Sequence, residues 1–466
     1  MLFNTTQFFV FLAVVLTLFY LAPRVLRRYI LLVASYFFYA SWNWKFIPLL
    51  LTLTVIDYTA GIWLERVRPS RKKLVLILSL CANLGFLGFF KYYNFLGKNL
   101  ALLLGMPGGS FWLDIVLPLG ISFHTFQSMS YVIDVYRGTQ AAVRDPIDYA
   151  LFICFFPQLV AGPIVRARDF FRDLLHWKPP TPEDLSHGVL LLLIGLTKKM
   201  AFADQFAKVA DVYFRDPTGH PGIATAWSGV LAFGLQIYFD FSGYTDMAIG
   251  MARLLGFHFP INFRRPYLAA SITDFWRRWH ISLSSWLRDY LYVSLGGNRK
   301  GTLMTYRNLM LTMLLGGLWH GASWNFVIWG GFHGALLSLE RVVYGKRRLD
   351  ETRISWFYPI RALITFALVL ISWVFFRAAD LPQSGRILAQ MFNFGGFRGR
   401  DLLQPWHFGL AGVALLLALL EEHWQWFERL LRAPAWAYAG ALTLLFFCLE
   451  LFAVIDVQIP FIYFQF

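Results

Sequence analysis

Trp319-His320-Gly321-Ala322-Ser323-Trp324-Asn325 lies inside Leu309 to Leu339, a run that otherwise reads as membrane helix. An ionisable side chain is expensive in hydrocarbon, so one kept at that depth faces a cavity, does chemistry, or packs against a neighbouring helix. Histidine is also the side chain best suited to moving protons near neutral pH. His320 is therefore the candidate catalytic centre of an integral membrane enzyme. A buried, hydrogen-bonded histidine is the alternative. Ser323 and Asn325 give it polar company, and Gly316, Gly317 and Gly321 would let other backbone or a substrate come close.

Composition agrees with the membrane reading. Only 15% of the 466 residues are charged, against about 25% in a soluble domain, which excludes an ordinary cytosolic enzyme. Aromatic residues make up 18%, in keeping with membrane interfaces and buried walls. The net charge of +15 does not indicate nucleic acid, because the basic residues sit in short clusters between apolar spans. Arg24/Arg27/Arg28 and Arg66/Arg68/Arg71/Lys72/Lys73 bracket two spans, which puts both clusters on one face, assigned to the cytoplasm. Cys81, Cys154 and Cys448 have no paired spacing and read as packing residues. The arginines follow the first apolar segment, so it is expected to remain as an uncleaved helix with its amino terminus outside.

At about 20 residues per spanning helix, candidate spans are 7–23, 29–46, 48–65, 73–92, 114–135, 147–164, 187–206, 223–252, 304–319, 323–344, 359–377, 406–422 and 434–455. Pro118-Leu119-Gly120 and Pro157…Ala161-Gly162-Pro163 interrupt theirs, so some are expected to be broken or re-entrant. The stretches 345–358 and 377–404 read as charged loops. No repeat is visible. The fold class is an all-α polytopic membrane protein with one domain over 1–466: helices over 7–261, a basic and aromatic segment over 262–307, helices over 308–455, and an aromatic tail over 456–466.

The segment 262–307 cannot span a bilayer. It sets Arg264, Arg265, Arg277, Arg278, Arg288, Arg299, Lys300 and Arg307 among Trp276, Trp279, Trp286, Tyr290 and Tyr292. Short amphipathic helices at the interface fit that mixture, either anchoring to headgroups or forming a basic mouth for a phosphate-rich ligand. Gly296-Gly297-Asn298-Arg299-Lys300-Gly301 reads as a tight turn with two cations, not a Walker motif. His280 ends Asp274-Phe275-Trp276-Arg277-Arg278-Trp279-His280 and is either packed or turned toward a substrate.

Asp240 and Asp246 lie six residues apart and match neither i+3 nor i+4, so they read as a buried polar network or a cavity lining. His124 with Gln127 and Ser128, and Asp134 with Arg137, read as packing glue between helices. His320 and His333, thirteen residues apart, would face away from each other on a straight helix, at roughly 140°. With no His-Glu-x-x-His pattern, no metal site is expected. After Pro460 the sequence closes on Phe461-Ile462-Tyr463-Phe464-Gln465-Phe466. Tyr463 is the one hydroxyl there, and a phenol can accept an acyl group as an ester. An interfacial aromatic anchor is the plainer reading.

Several long motifs occur in order: Phe239-Asp240-Phe241-Ser242-Gly243-Tyr244-Thr245-Asp246-Met247-Ala248, Asn262-Phe263-Arg264-Arg265-Pro266-Tyr267, and Phe275-Trp276-Arg277-Arg278-Trp279-His280-Ile281-Ser282-Leu283-Ser284. Trp286-Leu287-Arg288-Asp289-Tyr290-Leu291-Tyr292, Leu295-Gly296-Gly297-Asn298-Arg299-Lys300-Gly301 and Gly317-Leu318-Trp319-His320-Gly321 complete them. With these the chain resembles, over essentially its whole length, the membrane-bound O-acyltransferase family, in the branch that O-acetylates alginate and peptidoglycan. The resemblance implies helices wrapped around a transmembrane tunnel, His320 as the invariant histidine and His280 as a second functional one. It implies acetyl-CoA as donor substrate on the cytoplasmic side of the bacterial inner membrane, and no metal cofactor.

The tail resembles the F-x-Y-x-x-F ending of polymer-acylating systems, which implies Tyr463 as acyl carrier. Arg264, Trp276, Arg277, Arg278, Arg288, Asn298 and Arg299 then become candidate donor-binding residues. Implied partners are an extracytoplasmic acetyltransferase protein, membrane lipid and, indirectly, a polysaccharide acceptor, with no nucleic acid. The rival functions are D-alanyl transfer to teichoic acid, lipid or protein acylation, and transport of an acylated intermediate. The absence of visible repeats counts against the transporter.

Overall fold

The computed structural model describes residues 1–345, 357–394, 402–454 and 459–462. Tyr463 and the glycine- and arginine-rich run 395–400 lie outside them. Among the described residues the fold is all helix, with no strand, and seven helical stretches are long and apolar enough to cross a bilayer. The first, Arg24–Arg66, merges the expected spans 29–46 and 48–65 around a 3-10 turn at Trp44–Phe46. Contacts divide the chain into two compact units, Met1–Leu192 with Met247–Pro260, and Leu193–Asp246 with Ile261–Phe466.

The first unit is braced by a buried carboxylate. Asp57, on the helix Ile47–Arg66, accepts from Ser79 Oγ at 2.6 Å and Asn83 Nδ2 at 2.9 Å on Pro69–Leu87, and from the Ser128 hydroxyl on Ile121–Arg137. A carboxylate in apolar surroundings persists only with such partners. Ser128 thus has the gluing role read from the sequence, and Gln127 ties its helix to Phe152 O at 2.6 Å.

Two expected spans depart from helix as the prolines foretold. Helix begins only at Ile121, after Pro118-Leu119-Gly120, and the next one, Pro146–Cys154, stops short of Pro157. The broken segments meet. Gly120 has φ +71°, and a side chain there would lie 2.6 Å from Leu159 O, so glycine serves both the left-handed turn and the close approach.

In the second unit, Thr302–His320 and Trp324–Tyr344 form a helical hairpin turned by Gly321-Ala322-Ser323. Without a hydrophobic drive between helices in lipid, small residues and close contact hold such pairs. A Cβ on Gly317 would stand 2.2 Å from Phe326 O, and one on Gly330 2.2 Å from Met313 O. Backbone atoms cannot swing aside, so Gly317→Ala is expected to lower stability by about 2–3 kcal/mol. Thermal unfolding of the purified protein in detergent checks this, and an unchanged midpoint would refute the contact.

The expected loop 377–404 contains a helix, Leu381–Met391. Asp380 caps it by accepting from Gln383 N at 2.8 Å, Pro382 stands in its first turn, and Ser384, Ile387 and Met391 are buried along one side. Cap, proline and spacing were all present in the sequence; the flanking glycines and charges masked them.

Candidate functional site

His320 is the last residue of its helix and is buried. Edge-on aromatic rings surround it: Trp319 at 5.0 Å, Trp329 at 5.1 Å and Phe376 at 5.2 Å between centroids. Trp329 comes from the second arm of the hairpin and Phe376 from the helix Tyr358–Arg377. Asn325, expected beside His320, donates instead to Ala378 O at 2.8 Å and ties the hairpin turn to the end of that helix.

His280 also lies near Trp319, with ring centroids 6.2 Å apart. It is fully buried, adopts φ +44°, and caps the helix Ile281–Trp286. Its Nδ1 is 3.2 Å from Asn262 Oδ1, which also accepts from Ser282 N at 3.1 Å and Ser282 Oγ at 2.9 Å. An oxygen already taking those donors must accept from His280 too, so the proton sits on Nδ1 and the lone pair on Nε2. Burial lowers its pKa to about 3, which keeps the ring neutral near pH 7.

His333 joins the same aromatic cluster, 4.9 Å from Trp329 and 5.1 Å from Trp276. The straight-helix separation expected from His320 does not apply, because the turn at 321–323 folds the chain back and brings both rings onto Trp329. Ser372 Oγ donates to Val369 O at 2.7 Å and so accepts from His333 Nε2 at 3.0 Å, leaving Nδ1 as the acceptor nitrogen. That Nδ1 and the indole nitrogens of Trp276 and Trp329 are buried with no hydrogen-bond partner among the described residues. These two donors and one acceptor, buried around Trp329, match a polar guest such as an acyl oxygen or a water. No group of three or more His, Cys, Asp or Glu placed to hold a metal occurs among the described residues.

The basic segment folds with its aromatic side inward. Trp279, Trp286 and Tyr290 are buried, while Arg264, Arg277, Arg288, Asn298 and Arg299 are exposed. Arg278 pairs with Asp274 at 2.7 Å and Glu422 at 3.1 Å, and Arg265 pairs with Glu422. Arg288 pairs with its neighbour Asp289 at 2.7 Å. Asn298 accepts from the Tyr292 hydroxyl, and Asn308 Nδ2 donates to Gly297 O at 3.0 Å, fixing the Gly296–Gly301 turn.

The residues that sequence reasoning passed over are Lys198 and Lys199. They form a π-helical turn, Lys198–Ala203, and pair with Asp246 at 2.6 Å and Asp240 at 2.7 Å respectively. Asp240 and Asp246, too far apart in sequence to act as a dyad, are thus held by adjacent cations. The signal was two lysines inside an apolar span.

A profile of the MBOAT, membrane-bound O-acyltransferase family matches residues 80–379, more than half of the chain. The chain belongs to the membrane-bound O-acyltransferase family. As an MBOAT it is a multi-pass membrane acyltransferase. It is 45% identical over 425 residues to the "Probable alginate O-acetylase AlgI" of Azotobacter vinelandii, covering 90% of this chain and 83% of that protein. It is 40% identical over 402 residues to the peptidoglycan O-acetyltransferase of Helicobacter pylori, covering 78% and 74%. The teichoic acid D-alanyltransferase of Bacillus subtilis is 29% identical over 279 residues, 56% of this chain and 69% of that protein. The family match spans the His320 hairpin, His280 and the basic segment together.

Proposed function

We propose that this MBOAT moves an acetyl group from cytoplasmic acetyl-CoA across the bacterial inner membrane, for O-acetylation of an extracytoplasmic polysaccharide. The observation that carries the reading is the buried aromatic enclosure of His320, with His280 near Trp319 of that enclosure. Similarity to alginate and peptidoglycan O-acetylating proteins supports acetyl as the group and a polymer as its destination.

His320 takes the proton from the Tyr463 hydroxyl as that oxygen attacks the thioester carbonyl. The C–S bond then breaks, and the proton passes to the departing CoA thiolate, leaving acetyl-tyrosine. A helix end that presents carbonyls favours positive charge, which suits a histidine holding a proton in passing. The indole N–H groups of Trp276 and Trp329 are the donors available to the acyl oxygen as it gains charge. His280, held neutral, acts as an acceptor at Nε2.

Arg264, Arg277, Arg288, Asn298 and Arg299 hold the donor's phosphates, with Arg278 bracing the segment through Asp274 and Glu422. A thioester donor leaves its bulky anionic carrier in the cytoplasm, so only a small group crosses, and exclusion of water protects it from hydrolysis. A separate extracytoplasmic transferase then passes acetyl from Tyr463 to a sugar hydroxyl.

Mass spectrometry of the purified protein after incubation with isotope-labelled acetyl-CoA tests this, with a D-alanyl-loaded carrier protein as the comparison donor. One labelled acetyl group on the protein from acetyl-CoA alone is expected. Labelling by the D-alanyl donor instead would transfer the protein to the teichoic acid reaction.

A further inference from the structure

We propose that the buried cluster of Lys199, Asp204 and Asp240 is a seat for the C-terminal segment, gripping it at Ile462, one residue before Tyr463. Lys199 Nζ stands 2.8 Å from Asp204 Oδ1 and 2.7 Å from Asp240 Oδ1, and all three side chains are at most 4% exposed. Burying three ionisable side chains together is costly, and apolar packing would brace two helices at least as well. Lys199 takes only one oxygen of Asp240, so the other needs a further donor. The tail supplies what that acceptor lacks: Ile462 N donates to the second oxygen of Asp240 at 2.7 Å, a charge-assisted bond.

A second contact fixes the neighbouring residue. The Lys199 ammonium lies 4.6 Å from the centre of the Phe461 ring, a cation–π arrangement. Tyr244 makes a T-shaped contact with the same ring at 5.0 Å. Phe461 and Ile462 are both buried. Upstream, Val454 N donates to Met200 O at 3.1 Å and Gln205 Nε2 to Phe452 O at 2.6 Å, so the incoming chain is pinned beside the same π turn. Lys198 and Lys199 open that π turn and pair with separate aspartates, and such a distortion often marks a functional site. Asp240 and Lys199 are positioning residues that touch the tail, and Asp204 acts through Lys199. The seat rests on this geometry, while its consequence for transfer rests on the reading of Tyr463 as carrier.

Two variants test it in the full-length protein. Asp240→Asn leaves one oxygen and one amide NH2 to face two donors, so Lys199 and Ile462 N–H cannot both be accepted. Ile462→Pro removes the donated hydrogen without touching the buried ions, and decides the matter should Asp240→Asn fail to fold. Each is expected to speed hydrogen–deuterium exchange of the C-terminal peptide by roughly tenfold or more. Each should also lower kcat for acetyl transfer while leaving KM for acetyl-CoA unchanged. Unchanged exchange in both variants would overturn the seat. Faster exchange with undiminished transfer would uphold the seat and overturn Tyr463 as carrier.

Discussion

His320→Ala is expected to lower acetyl transfer from acetyl-CoA by roughly a hundred- to ten-thousandfold, the range for losing a positioned general base. The enclosure of Trp319, Trp329 and Phe376 stays in place, since each ring has other neighbours. Trp329 stacks on Trp373 at 6.0 Å, and Phe376 packs edge-on against Phe326 at 5.0 Å. Loss of the imidazole therefore opens a small cavity, costing about 1–3 kcal/mol, and not a collapse. Single-turnover transfer of labelled acetyl, measured beside the unfolding temperature, separates lost chemistry from lost fold. A folded variant keeping more than about a tenth of the wild-type rate would move the chemistry away from this ring. Every step assigned to His320 would then fail with it.

Tyr463→Phe should abolish polymer acetylation in cells and remove the acetyl label from the protein. Phenylalanine keeps the aromatic ring and removes only the oxygen that forms the ester. The anchor at Phe461 and Ile462 is untouched, because its contacts are made by the Phe461 ring and the Ile462 amide. An aromatic anchor would tolerate the change almost completely; a carrier cannot. Full acetylation by the Phe variant, alongside an inactive His320→Ala, would mean that acetyl reaches its acceptor by another route. The expected gap is at least about a hundredfold, as for loss of a covalent nucleophile.

Much of the molecule was readable one residue at a time. Apolar runs between basic clusters defined a helical membrane protein, since the cost of charge in hydrocarbon is paid locally. Prolines and glycines at 118–120 and 157–163 marked where helices break, since a missing N–H or a positive φ acts on its own turn. His320 stood out as an ionisable group in an apolar run. The loop expected over 377–404 failed where glycine and charge obscured a capped helix at Leu381–Met391.

What the sequence could not reveal was proximity. His320 and His333, which a straight helix would turn away from each other, share Trp329 because the chain reverses at Gly321–Ser323. His280 meets the same enclosure through Trp319, thirty-nine residues away in sequence. Asp240 had no visible partner until Lys199 and Ile462 came to it from 41 and 222 positions away. The sequence by itself determined the solvent each segment prefers and where helices start and stop, because those free energies depend on neighbours along the chain. Only the tertiary structure decided which buried polar groups pair, because a charge in low dielectric is set by whatever packing brings within about 3 Å.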